Sequence, residues 1–256
     1  MLEAGFEVID QQSVGALCAA IAEPVLSAGG VIIPPPDYFR RLRALCDDRE
    51  MLLIIDEAQT GFGRLGTMFG FQLYDIEPDI LSVSKTLGGG IPIAATFTTS
   101  AIESDCYNKG FTHITSHVSD PLPAAAGLAV IEVIEKEHLV EQAKQRGEYL
   151  LARLQELQQR HEQIGDVRGK GLLVGIELVE DRVKKTPADA LAKAVGDECI
   201  RRGLSMNIVR SVGGLLNCFR MAPPLSVSEQ EIDIAVEIID DALTAVLASR
   251  LSHFQI

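Results

Sequence analysis

Read for apolar spacing, the chain alternates between short apolar runs and longer stretches of helical periodicity. Leu2, Phe6 and Ile9 make a short helical stripe, and an apolar run from Ala16 to Ala22 then ends at Glu23-Pro24. This predicts a helix running into a buried strand over the stretch CAAIAEPV. Pro34-Pro35-Pro36 marks a turn. Asp37 is placed to cap a helix with Phe39, Leu42 and Leu45 on one face and Arg40, Arg41 and Arg43 on a solvated one. Met51 to Ile55 and Ile80 to Val83, rich in Ile, Leu and Val, are too short for helices and read as buried parallel strands. With Ile93 to Phe97 they give strands alternating with helices, the pattern of an α/β fold with a mostly parallel sheet.

From Pro123 to about Glu162 the period becomes helical, through Ala124, Leu128, Ile131 and Ile134, then Leu139, Ala143, Leu150 and Leu154. A break near His138 separates the two halves, and Gln155 to Gln163 reads as an exposed end. Val167, Leu172, Val174 and Ile176 then read as strands with glycine turns. A helix from Pro187 to Gly203 and strands at Met206 to Val209 and Cys218 to Met221 follow. Ser226-Val227-Ser228-Glu229 fits a capping box that opens a last helix through Ile232, Val236, Ile239, Leu243 and Leu247. The expected organisation is a partial α/β large domain over 1–135 and a small α+β domain over 136–256.

Composition narrows the function classes. With 47% hydrophobic residues the chain has ample material for a core, and a net charge of −13 argues against a nucleic-acid partner. Five cysteines without a CxxC pair argue for a reducing compartment rather than a disulfide framework. No apolar run approaches the about 20 residues of a membrane span, and the start lacks the basic and apolar regions of a signal peptide. A cytoplasmic chain without a membrane partner is the expectation.

The chemistry gathers between Met51 and Gly90. One apolar run delivers Asp56 at its end; the other leads through Ser84 to Lys85, which Thr86 and three glycines follow. Residues just beyond the carboxyl ends of parallel strands face one crevice. A desolvated lysine there can form a Schiff base with an aldehyde, and a carboxylate suits a protonated pyridine nitrogen. Two other patterns carry less. Gly61 to Gly66 satisfies GxGxxG, but four residues separate it from Asp56 and no long amphipathic helix follows, as a dinucleotide site would need. His113 and His117 have the spacing of metal ligands on a helix, yet they lie in a β-branched segment that reads as a loop.

DEAQTGFGR (Asp56 to Arg64) and SKTLGGG (Ser84 to Gly90) resemble the paired signatures of the class III aminotransferases, fold type I pyridoxal phosphate enzymes. The resemblance continues through SHVSDPLPAAAGL (Ser116 to Leu128), GDVRGKGLLVGIEL (Gly165 to Leu178), LSMNIV (Leu204 to Val209) and FRMAPPL (Phe219 to Leu225). SHVSDPLP and LSMNIV resemble the 2,2-dialkylglycine decarboxylase branch more than ordinary transaminases. The resemblance implies that Lys85 carries the cofactor and exchanges protons. It implies that Asp56 faces the ring nitrogen, Gln59 the ring hydroxyl and Ala58 the ring face, and that Ser116 reaches the cofactor phosphate of a neighbouring subunit. Glu23 falls near the cofactor pocket, and Arg220 binds the substrate α-carboxylate, as a guanidinium fork can.

By the same resemblance, oxygens of Ser116, Val118 and Asp120 take part in holding K⁺. The implied reaction converts a dialkyl amino acid and pyruvate to a ketone, CO₂ and alanine in a homodimer or homotetramer. Ala28 stands where the decarboxylases have a serine, which leaves ordinary ω-amino acid transamination as the alternative. The resemblance reaches only roughly the last three-fifths of a family member. The portion with the phosphate-binding turn and the ring-stacking aromatic has no counterpart here. Little or no activity is therefore expected of this chain alone, and a non-catalytic interaction partner is the further alternative.

Overall fold

Asp79 shows how the local sequence sets the central strands. It stands at the head of the Ile80–Val83 run, where its Oδ2 accepts the Leu53 N–H (2.6 Å) and an Arg43 N–H (2.6 Å). One carboxylate thus fixes the register of two strands and ties the preceding helix to them. The computed structural model describes residues 2–15, 17–209 and 217–253. Ala16, the first residue of the expected apolar run, lies outside them.

The chain forms two compact units: Met1–Pro24, Pro34–Gly63 and Thr67–His138 make the first; Val25–Ile33, Arg64–Gly66 and Leu139–Ile256 make the second. The first unit runs α1 (Leu2–Gln12), β1 (Ala19–Ala22), α2 (Tyr38–Asp47), β2 (Leu52–Asp56), β3 (Ile80–Val83), β4 (Ala95–Thr98), α3 (Ser100–Asn108) and α4 (Pro121–Lys136). The strand order is β1-β2-β3-β4, parallel across the first two pairs and antiparallel between β3 and β4. α2 covers β2 with Phe39, Leu42 and Cys46.

Several expectations change here. β2 and β3 bury only alternate residues, Leu53 and Ile55, then Leu81 and Val83. They are half-buried rather than buried on both faces, and α2 covers one side of β2. β1 is the sheet's edge, and its Ile21 is 67% exposed, since β2 is its one strand neighbour among the described residues. Asp37 gives α2 no side-chain cap; its carboxylate accepts instead from Arg41. Arg41 and Arg43 are not a merely solvated face. Arg41 also pairs with Glu3 of α1, and Arg43 with Asp47 and Asp79. The α4 stripe is mostly bare: Gly127 and Ile134 are buried, but Leu128 is 59% exposed.

The second unit builds α5 (Leu139–Arg160), β5 (Ile164–Lys170), β6 (Leu173–Asp181), β7 (Thr186–Pro187), α6 (Asp189–Arg201), β8 (Asn207–Val209), β9 (Cys218–Met221) and α7 (Glu229–His253). Its sheet is antiparallel, in the order β5-β6-β9-β8, with β7 beside β6. His138, with φ 53°, makes the expected break before α5. Leu157 is wholly buried, so the expected exposed end of α5 still contributes to the core. The α7 capping box sits two residues later than expected. Ser228 Oγ accepts the Glu231 N–H (3.2 Å) and Glu231 accepts the Ser228 N–H (2.8 Å). No helix among the described residues is long and apolar enough to cross a membrane.

Candidate active site

β2 and β3 are adjacent and parallel, so their carboxyl ends lie side by side. Asp56 closes β2 opposite Ser82 of β3, and Lys85 follows β3 after Ser84. The Asp56 carboxylate is half-buried. Its Oδ1 accepts the Ala58 N–H (2.9 Å) and the Ser82 hydroxyl (3.2 Å). Its Oδ2 accepts no hydrogen bond from the described residues, and no described cation pairs with it. The result is an oriented carboxylate with one oxygen open to a cationic N–H. Lys85 likewise has no hydrogen bond or ion pair among the described residues. It opens a 3-10 turn, Lys85–Gly88, at φ 48°. A non-glycine residue pays for that conformation, and such residues collect at functional positions. The sequence suggested a desolvated lysine, but among the described residues Lys85 is exposed, as are Gly89 to Pro92, which follow its turn.

The loop after Asp56 is held from inside. Glu57 is wholly buried, its Oε1 accepting the Phe71 N–H (2.8 Å) and its Oε2 the Thr60 hydroxyl. Burial pushes the Glu57 carboxyl above its usual range, against the hydrogen bonds from Thr60, Gly70 and Phe71. This latch fixes the path of Ala58 and Gln59, both half-buried, and the Gln59 side chain has no partner among the described residues. Glu57 lies inside the DEAQTGFGR motif, yet only its complete burial reveals the latch. The Gly61–Gly66 stretch is a series of turns, followed by a five-residue 3-10 helix, Gly70–Tyr74, rather than the long amphipathic helix a dinucleotide site would need.

Ser116, Val118 and Asp120 lie on the exposed turn before α4. Asp120 is already engaged, with Oδ2 2.8 Å from His117 Nδ1. Val118 and Asp120 help line an open cavity with Thr96, His113 and Thr115. Among the described residues no His, Cys, Asp or Glu cluster has the form of a metal site. Glu23 directly follows β1 and is half-buried.

In the second unit, Arg220 on β9 is half-buried and donates from Nη1 to Ser27 Oγ at 3.1 Å. It has no ion pair among the described residues; Arg64, Arg146 and Arg182 of the same unit also lack one but donate to backbone carbonyls, whereas Nε and Nη2 of Arg220 have no partner among the described residues. A guanidinium without a carboxylate suits a carboxylate ligand. The sequence reading did not single out Ser27, although the neighbouring Ala28 drew notice as a departure.

Known proteins resemble this chain in sequence and fold. An uncharacterized aminotransferase of Schizosaccharomyces pombe is 48% identical over 95% of this chain and 54% of its own length. The leucine/methionine racemase of Thermococcus litoralis is 37% identical over 92% and 52%. Among solved structures, a Bacillus anthracis aminotransferase superposes with a TM-score of 0.90 at 35% identity, covering 95% of this chain and 56% of that one. An amine transaminase from an uncultivated Pseudomonas species, in its PLP-bound form, gives 0.88 at 35% identity, again over 95% and 56%. The chain thus spans about half the length of the curated relatives it matches. The family model for class-III aminotransferases matches residues 1–243, and the chain belongs to that family.

Proposed function

We propose that this chain carries the lysine-bearing part of a pyridoxal phosphate enzyme that moves an amino group from an amino acid to a 2-oxo acid. The observation that carries this reading is an amine and a carboxylate oxygen that are both without a partner among the described residues, on Lys85 and Asp56 at the ends of adjacent parallel strands. That donor set fits the cofactor, an aldehyde on a ring whose nitrogen is protonated. Lys85 would hold the aldehyde carbon, Asp56 the ring nitrogen, Gln59 the ring hydroxyl and Ala58 the ring face, while Ser116 would reach the phosphate of the cofactor in a neighbouring subunit. When bound, pyridoxal phosphate supplies a ring that withdraws the electrons released at a substrate's α-carbon.

The chain's own residues do the rest. Asp56 Oδ2 would keep the proton on the ring nitrogen, with the hydrogen bonds on Oδ1 holding the carboxylate in that orientation. Lys85 Nζ would serve as the base that takes the α-proton and returns it. Arg220 binds the α-carboxylate through its remaining donors.

The decarboxylating form of this chemistry is the finer proposal. SHVSDPLP supports it by putting Ser116, Val118 and Asp120 on one exposed turn, where oxygens suit a hard cation such as K⁺. Ordinary transamination fits equally, and Ala28 favours it. The complete enzyme is proposed to be a homo-oligomer, and Phe111, Ile114 and Leu122, 61%, 82% and 71% exposed, support this as apolar surface. Incubation of the complete, cofactor-loaded enzyme with L-alanine or 2-aminoisobutyrate and a 2-oxo acid tests these readings. Amino transfer supports the general reading and its absence with every donor counts against it. K⁺-dependent CO₂ release from 2-aminoisobutyrate supports the finer reading; transfer without CO₂ rejects it.

A further inference from the structure

Arg220 does not stand alone in its unit. The segment Val25–Ile33 folds onto the same sheet, closed by reciprocal bonds between Leu26 and Ile32 (3.1 and 3.0 Å). Val25, Val31, Leu65 and Leu173 form a buried cluster beneath it. Val31 takes φ 54°, costly for a β-branched residue, and packs over Gly175, the register partner of Arg220 on β6. Arg168 of β5 anchors the segment, donating to the carbonyls of Gly30 (2.5 Å) and Val31 (3.1 Å). Asp166 and Glu177 hold that guanidinium in turn at 2.6 and 2.8 Å. The bracket presents Ser27, 2% exposed, to Arg220 Nη1.

We propose that Val25–Ile33 is a fixed bracket that orients Arg220, with Ser27 as the positioning residue, and that it sets the preference for donors carrying an α-carboxylate. The proposal rests on the reading of Arg220 as the carboxylate ligand. By occupying Nη1, Ser27 fixes the plane of the guanidinium and leaves the Nε and Nη2 donors, which have no partner among the described residues, for a two-pronged bond. A guanidinium free to turn would lose that geometry while keeping its charge. Long-range attraction of the carboxylate would therefore survive and selectivity would fall.

The test follows the first half-reaction in single turnovers of the complete, cofactor-loaded enzyme. The donors are L-alanine and isopropylamine, which lacks a carboxylate, and calorimetric titration with propionate adds a binding readout that needs no turnover. Ser27→Ala is expected to lower the alanine-to-isopropylamine ratio of kcat/KM about tenfold, mainly through KM, and to weaken propionate by a similar factor. Ser27→Cys fills the same space with a poor acceptor and should reproduce the loss; it carries the comparison should the alanine variant not fold. Arg220→Ala separates the two readings. If it collapses the ratio while both Ser27 variants match the wild type, the bracket proposal is overturned and Arg220 keeps its role. If Arg220→Ala leaves the ratio and propionate binding unchanged, the reading beneath it fails, and the proposal with it.

Discussion

Glu57→Ala and Glu57→Gln together probe the latch beneath the candidate site. Alanine removes the acceptor of the Phe71 N–H and of the Thr60 hydroxyl, and Thr60 is itself wholly buried. Each stranded donor costs about 1–3 kcal/mol, offset in part because the lost carboxylate has no cation beside it among the described residues. The net expectation is a loss of about 2–4 kcal/mol in urea unfolding, with faster hydrogen exchange at the Phe71 amide. Glutamine keeps an acceptor for Phe71 and removes the charge.

The sign of the pH effect follows from burial. The folded pKa of Glu57 lies above its ordinary 4.5, so folding favours the neutral acid. Its contribution is therefore fully present below 4.5 and is lost as pH rises through the folded value. Wild-type stability measured relative to Glu57→Gln should fall as pH rises from that point and then level off. Parallel curves for the two proteins, or an alanine variant as stable as the wild type with unchanged Phe71 exchange, would refute the latch.

Other outcomes follow from packing and ion pairs. A Cβ on Gly147 of α5 would lie 2.2 Å from the Gly171 carbonyl oxygen, and Gly171 itself sits at φ 50°. Gly147→Ala should therefore cost at least about 2 kcal/mol in urea unfolding, because backbone rather than a flexible side chain must move. Asp233 is held below its usual 3.8 by hydrogen bonds from Arg153 and then Tyr149. Its stability contribution should be present above 3.8 and lost as pH falls through the lower folded value, a dependence that Asp233→Asn abolishes in acid titrations followed by circular dichroism.

What the sequence made legible was local. Short Ile, Leu and Val runs ending in Asp56 and leading to Lys85 announced the strands, and the glycine-rich stretch after Lys85 announced the turn. The α7 cap slipped by two residues because Ser226 and Ser228 each precede a glutamate at cap spacing, and only the backbone decides between them. Arg41 looked solvated because Glu3 lies far back in the chain, and Ser27 looked unremarkable because Arg220 is a whole unit's length away. Burial, too, was hidden: Glu57 and Leu157 are charged or flanked by charge in sequence, yet both are fully enclosed.

The central claim is that Lys85 is the amine that binds the cofactor. Borohydride reduction of the protein loaded with pyridoxal phosphate, followed by proteolysis and peptide mass mapping, tests it most directly. The expected result is a single pyridoxyl group on Lys85, absent from the Lys85→Ala variant. A label confined to Lys109 or Lys170, or one that survives in Lys85→Ala at the same stoichiometry, would contradict the account.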